Sequence, residues 1–310
     1  MVDALVLIIG VLAISTASIL IRLAYREAGT GGLGFSLVLV ASRFALSALI
    51  VLPAWPKLLK QPLQPGVSLY AGAAGLCLAA HFALWITSLS YTSIAASTAL
   101  VTTNPVWVAL LSRFWFGEKL SKLSVTGIAI ALVGMIVIAL GSAAPANGDS
   151  NPLLGDFFAL PGSWAVSLYL LLGREAQRRG LGISGYRAIA YTTAAIAYTT
   201  AAIAYTTAAI ALLPLPLAVN ANYAGYSQAV YVCILLTAIV PQLVGHTIFN
   251  WAVVRISPTL VTLAILFEPV GASYFGYLVF GEVPAPAVLA GAGVLLLGVA
   301  AAAFGTQKSH

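Results

Sequence analysis

The sequence predicts an all-α integral membrane protein with ten transmembrane helices, arranged as two inverted repeats of five helices. Long apolar runs occupy most of the chain, and one pattern of prolines, glycines and acids occurs twice at a fixed spacing. A polar linker lies between the two copies. We therefore predict a first repeat at residues 1–142, a linker at 143–152 and a second repeat at 153–305.

The composition indicates that lipid surrounds most of the chain. Charged residues make up 7% and hydrophobic residues 61% of the 310 residues, whereas a soluble domain is about a quarter charged. The runs are continuously apolar and do not alternate, so they indicate helices and not the strands of a barrel. A span needs about 20 apolar residues. The predicted spans are residues 3–22, 35–53, 67–88, 94–115, 122–141, 153–173, 186–219, 226–250, 257–279 and 285–304.

An internal duplication explains the repeated pattern. In each copy a proline precedes a Gly-Glu pair, and three glycines follow at intervals of seven or ten residues. All six pairs share an offset of 164 residues: Pro105 and Pro269, Gly117 and Gly281, Glu118 and Glu282, Gly127 and Gly291, Gly134 and Gly298, and Gly141 and Gly305. Since each half contains five spans, the second copy must cross the membrane in the opposite direction, as in many secondary transporters.

The glycines of the fifth and tenth spans place small residues on one face of each helix. This pattern predicts close helix packing, as a scaffold or dimer contact. We expect a monomer or a weak homodimer.

The basic residues predict the orientation of the chain. With the N-terminus in the cytoplasm, 11 of the 14 Lys and Arg residues lie inside, Arg22 and Arg26 lie outside, and Arg43 lies within a span. This bias predicts that both termini are cytoplasmic. We interpret Arg43 as a topology and scaffold residue that reaches toward the external interface, in preference to a substrate anchor.

The seventh run contains a tandem duplication. The heptad Ile-Ala-Tyr-Thr-Thr-Ala-Ala occurs three times within residues 189–210. A helix over the whole run would extend about 51 Å, against a hydrocarbon core of about 30 Å. Without two of the copies an ordinary span remains. We therefore interpret the extra copies as a feature without functional meaning.

Two prolines and an acid lie inside the fourth and ninth spans. Pro105 and Pro269 each remove a backbone donor, so each helix should kink. Symmetry-related breaks point to a binding site, while packing alone is the other explanation. Asn104 precedes the first proline and Glu268 the second. Glu268 would bind an ammonium group, carry a proton or hydrogen-bond a neighbouring helix.

Polar and aromatic residues within the spans complete the candidate site. The histidines suit either packing or substrate contact, and the aromatic rings suit packing or stacking on an aromatic or cationic ligand. The candidate substrate-binding residues are His81, Trp85, Thr102, Asn104, Trp107, Trp164, Tyr169, His246, Asn250 and Glu268. No ligand-spaced cluster predicts a metal or cofactor. No motif or paired-acid pattern predicts an enzyme.

The chain resembles the EamA-type members of the drug/metabolite transporter superfamily. The resemblance rests on Ala41–Ala45, on the twice-used Pro-x11-Gly-Glu, and on Gly155–Leu160 with Trp164 and Leu168–Leu170. In detail the pattern is most similar to YddG-type exporters of aromatic amino acids and some cationic drugs. The resemblance implies a basket of two inverted repeats in a bacterial inner membrane. It also implies a central cavity from spans 1, 3, 4, 6, 8 and 9, with spans 5 and 10 peripheral.

These observations together predict a carrier that exports small amphipathic metabolites, foremost aromatic amino acids, by alternating access. Its expected partners are the substrate and the bilayer, without nucleic acid. The alternatives are a carrier of a nucleoside, purine or sugar conjugate, and a non-transporting membrane receptor or scaffold.

Overall fold

The computed structural model describes residues 2–52, 66–115, 117, 120–142, 151–180, 202–252 and 264–307. Every regular element within these residues is helical. Seven of their segments are long and apolar enough to cross a membrane, and the apolar helices Ala202–Ala218 and Pro286–Ala302 are shorter. An all-α membrane fold is therefore confirmed. The prediction of ten spans in two inverted repeats depends partly on residues outside the described ranges and stays a prediction.

The helices follow the apolar runs. They are α1 Val2–Ala28, α2 Gly32–Val51, α3 Val67–Ser88, α4 Ile94–Val101, α5 Asn104–Trp115, α6 Lys122–Ser142, α7 Pro152–Gly180, α8 202–212, α9 Leu215–Ala218, α10 Gln228–Thr237, α11 His246–Ala252, α12 Glu268–Phe280 and α13 Pro286–Gln307. α1 and α7 continue past the predicted ends of their spans. A helix does not have to end at the hydrocarbon boundary, because its charged last turns are solvated in the polar interface.

Three predicted spans contain irregular backbone. The fourth is divided into α4 and α5, and its turn residues are Thr102 and Thr103. The eighth contains a π-helical segment, Ala238–Gly245, between α10 and α11. Pro241 lies inside this segment, where it cannot donate to an α-helical ladder. In the ninth, α12 begins at Glu268 with Pro269 in its first turn, and residues 253–263 lie outside the described ranges.

The first two copies of the tripled heptad also lie almost entirely outside the described residues. The third copy, residues 203–209, belongs to α8.

The glycine faces of α6 and α13 pack against each other in antiparallel register. Gly127 lies opposite Gly298, and Gly134 lies opposite Gly291. A side chain at Gly134 would collide with the backbone of Leu295. Close packing of the glycine faces is therefore confirmed. The faces meet within one chain, and the expectation of a monomer or weak homodimer stays a prediction.

The interior is divided between two main hydrophobic clusters. One joins α1, α2, α3, α8, α10 and α12 with Ile94 and Val101 of α4, and the other joins α4, α5, α6, α7 and α13. Large apolar side chains are exposed around the outside, for example Leu69 at 74%, Leu140 at 73% and Leu297 at 71%. Exposed leucines in such numbers indicate a lipid-facing surface.

Candidate functional site

The break between α4 and α5 is held by a polar network centred on Thr103. The indole Nε1 of Trp107 donates to Thr103 Oγ1 at 2.9 Å. The Thr103 and Ser163 hydroxyls lie 2.8 Å apart, and both residues are fully buried. Ser167 on α7 donates to the backbone oxygen of Asn104 at 3.1 Å. The network joins the broken helix to α7, so it supplies hydrogen bonds where the helical ladder is interrupted.

Trp107 and Trp164 form an aromatic pair between α5 and α7. Their ring centroids lie 5.1 Å apart with an interplanar angle of 70°. Trp107 is half-buried, and Trp164 is 51% exposed. The edge-to-face geometry leaves part of the Trp164 ring free to contact another group.

A second aromatic set lies on α3. The His81 and Trp85 rings are nearly parallel, at 7°, with centroids 6.3 Å apart. His81 Nδ1 donates to the Gly162 oxygen at 2.9 Å. His81 thus bridges α3 to α7. Trp85 is buried, and its Nε1 has no acceptor among the described residues.

Phe82 lies at the centre of this region. Its ring contacts His81 at a centroid distance of 4.6 Å and His246 at 6.2 Å. The guanidinium carbon of Arg43 lies 4.3 Å from the Phe82 centroid, within the range of a cation–π contact. Phe82 therefore brings both predicted histidines and a buried cation around one ring.

The structure contradicts the interpretation that Arg43 reaches toward the external interface. Arg43 is 1% exposed, and its Nε donates to Gln242 Oε1 at 2.8 Å. The side chain points into the bundle because an amide and an aromatic face there offer it partners that hydrocarbon does not.

The remaining predicted site residues are dispersed. Thr102 donates to Thr98 O of its own helix at 2.5 Å. Tyr169 packs against the first core cluster. The half-buried Glu268 accepts a bond from Ser15 on its backbone oxygen at 3.3 Å. The Asn250 side chain lies outside the described part of the chain.

Another polar network joins the two predicted halves at the end of α1. Arg22 Nη1 lies 3.5 Å from Glu282 Oε2, and Arg22 Nη2 donates to Thr92 O at 2.8 Å. Glu282 Oε1 accepts a bond of 2.7 Å from Ile94 N, at the N-terminus of α4, where an acid is favoured. Thr92 donates to Asp156 Oδ1 at 3.0 Å. A cavity of about 430 Å³ opens beside Arg22 and Glu282.

Several of these residues were not predicted from the sequence. Thr103 lies four residues before Trp107, but it belongs to the turn between α4 and α5, so helical spacing alone does not indicate its contact with the indole. Gln242 is an amide in the middle of an apolar run, next to Pro241, and this position was a usable signal. The ion pair of Arg22 and Glu282 joins residues far apart in the chain, and nothing local in the sequence pairs them.

Comparison with known proteins gives consistent results. The chain is 23% identical over 295 residues to a probable terminal-alkyne amino-acid exporter of Streptantibioticus cattleyicolor, covering 94% of this chain and 90% of that protein. It is 37% identical over 106 residues to the uncharacterized transporter YwfM of Bacillus subtilis, covering 33% of this chain and 34% of that protein.

A crystal structure that is 19% identical has a TM-score of 0.58 and covers 99% of this chain and 98% of its own. At that identity the likeness shows the fold alone. The EamA-like transporter family matches residues 2–140 and 181–304, which is most of the chain. The protein is therefore a membrane transporter and not an enzyme, and it belongs to the EamA-like transporter family.

Proposed function

We propose that this protein exports small amphipathic amino acids, foremost aromatic ones, and also carries cationic drugs. The observation that carries the proposal is the pair of Trp107 and Trp164 beside the broken helix. Indole faces bind aromatic rings and cations, and the hydrogen bond from Trp107 to Thr103 holds one of these rings in place. The S. cattleyicolor relative, named as a probable amino-acid exporter, supports amino acids as the substrate class.

Polar contacts to the substrate come from residues around the two helix breaks. We assign these contacts to His81, Asn104, Asn250 and Glu268, with Glu268 suited to an ammonium group. The prolines let the helices bend as the site opens first to one side of the membrane and then to the other.

The proposed mechanism is alternating access between two inverted repeats. Reciprocal contacts support the repeat: Gly127 packs on Gly298 while Gly134 packs on Gly291, so each contact recurs with the halves exchanged. A two-fold relation between halves requires such reciprocity. Gly117 and Gly281 also share a left-handed backbone, with φ of 68° and 66°. We place the protein in a bacterial inner membrane with both termini in the cytoplasm.

Flux into liposomes tests the substrate class. Liposomes that contain the purified protein and are preloaded with phenylalanine should take up labelled phenylalanine faster than liposomes without the protein. Trp164→Ala should lower this uptake by about fivefold, since stacking is worth about 1 kcal/mol. Phe114→Ala is the matched control, because Phe114 is 85% exposed on the same helix as Trp107.

Two results would contradict the proposal. If phenylalanine and tryptophan uptake equals that of empty vesicles while a nucleoside or sugar conjugate moves, the substrate class is wrong. If the aromatic ligands bind but are not transported, they are not the substrates of this transporter.

A further inference from the structure

Arg43 is a buried cation whose hydrogen-bonding capacity is only partly used. A guanidinium has five N–H donors. Its Nε–H bonds Gln242, and one face of the group lies on Phe82. Nη1 is buried, and the described residues give it no acceptor. A charged donor without a partner inside a membrane bundle is unfavourable, so an acceptor supplied by a ligand would stabilise it.

The described residues supply no counter-ion to Arg43. Their one ion pair within 4.0 Å joins Arg22 to Glu282 at another place in the fold. Glu268 is near enough to interact electrostatically with Arg43, but not near enough for an ion pair. Gln242 is neutral and orients the guanidinium without cancelling its charge.

A second unused donor lies beside the same ring. Trp85 is 3% exposed, and its ring centroid is 5.8 Å from that of Phe82. Within the part of the chain that the structure describes, Trp85 Nε1 and Arg43 Nη1 are thus two buried donors beside one phenyl ring that lack acceptors. A carboxylate offers two oxygens and one negative charge, and it matches the planar guanidinium better than any neutral group does.

We propose that Arg43 is the anchor for the carboxylate of the substrate, with Trp85 Nε1 as a second donor. This inference rests on the proposed function, since it names the group by which an amino acid is held. The ligand brings the missing counter-ion, and Glu268, in electrostatic range, faces the ammonium group of the same molecule. The site selects zwitterionic amino acids over the corresponding amides and amines.

Calorimetric titration of the purified protein with three probes tests the assignment. Phenylalanine carries both charged groups, phenylalaninamide lacks the carboxylate, and 3-phenylpropionate lacks the ammonium. The wild type should bind phenylalanine about tenfold or more tightly than phenylalaninamide. Arg43→Gln should lower the affinity for phenylalanine and for phenylpropionate by about tenfold or more. The affinity for phenylalaninamide should change by no more than about twofold, since the amide makes no ion pair with Arg43.

Two further variants separate binding from folding. Arg113→Gln is the matched control, because Arg113 is an exposed arginine on α5 and its loss should change no affinity. Arg43→Lys keeps the positive charge but loses the planar fork. If Arg43→Gln does not fold, Arg43→Lys should still lower the affinity for phenylalanine and phenylpropionate several-fold and leave the affinity for phenylalaninamide unchanged.

The outcomes are distinct for the two proposals. Arg43 is not the anchor if Arg43→Gln lowers the affinity for all three probes equally or for none of them. The same holds if the wild type binds phenylalanine and phenylalaninamide equally tightly. Neither result contradicts the proposed transport of amino acids. If phenylpropionate binds in an Arg43-dependent way while phenylalanine does not bind, the carboxylate site stands and the proposed substrate class falls.

Discussion

Thr103 shows how a single side chain decides the geometry of the candidate site. It lies next to Thr102, and both are buried. The Thr102 hydroxyl donates to a backbone oxygen one turn earlier in the chain. The Thr103 hydroxyl instead links Trp107 on α5 to Ser163 on α7. Two adjacent threonines thus have different roles because they face different neighbours across the break.

Replacing Thr103 with valine tests this difference. The change keeps the side-chain shape but leaves the Trp107 indole and the Ser163 hydroxyl without their shared partner. We expect a loss of stability of about 1–3 kcal/mol, the cost of unsatisfied buried groups, and a shift in Trp fluorescence. Thr98→Val is the control, because Thr98 is also buried but bonds only backbone oxygens of its own helix. Equal effects of both variants on thermal unfolding in detergent would refute a special role for Thr103.

At the scale of elements, the contact between α6 and α13 depends on the absence of side chains. Gly298 lies against the backbone of Ala131 and Gly127, so the two helices approach as closely as small residues permit. On the same α13, a side chain added at Gly293 would meet nothing within 4 Å. The same residue type is therefore indispensable at one position of the helix and replaceable at another.

Alanine at these two glycines should have opposite effects. Gly298→Ala forces the helices apart and should destabilise the protein by about 1–3 kcal/mol. Gly293→Ala meets open space and should be neutral or stabilising by up to about 1 kcal/mol, because alanine is the better helix former. Thermal unfolding of both variants in detergent measures the difference. If Gly298→Ala unfolds at the wild-type temperature, the close approach of α6 and α13 does not limit stability.

For the whole molecule, the network of Arg22, Thr92, Glu282 and Asp156 is the place where the two predicted halves are tied together by charge. Arg22 and Glu282 are 27% and 20% exposed, so their ion pair alone is worth at most about 1 kcal/mol. Glu282 also binds the N-terminus of α4. If the halves move against each other during transport, these contacts must break and form again.

Glu282→Gln should therefore favour opening at this end. A shift of about 1 kcal/mol changes the population of the open form about fivefold. Ser90 lies beside the cavity at this end, so a Ser90→Cys reporter should react correspondingly faster with a membrane-impermeant thiol reagent. Glu27→Gln is the control, since Glu27 is an exposed acid near the same end. An unchanged labelling rate in Glu282→Gln would show that this network does not hold the end closed.

Local patterns were sufficient for the helices that the structure describes and for the breaks beside Pro105 and Pro269. Continuous apolar runs define helices because every backbone group in lipid must bond within its own segment. The prolines mark the interruptions because they cannot donate to the ladder. The π segment around Pro241 was not predicted, since a proline in an apolar run permits several ways of accommodating the lost bond.

The class of the protein, a helical membrane transporter, is readable from composition and local patterns along the chain, and the spacing of its motifs predicts two duplicated halves. The directions of the polar side chains are known only from the folded chain. Arg43 faces Gln242 and Phe82 inside the bundle, because residues far apart in the chain offer partners that no local pattern reveals. Hydrophobicity acts on each segment separately and is readable in order along the chain. Hydrogen bonds and charge pairs act between segments, and the fold alone brings them together.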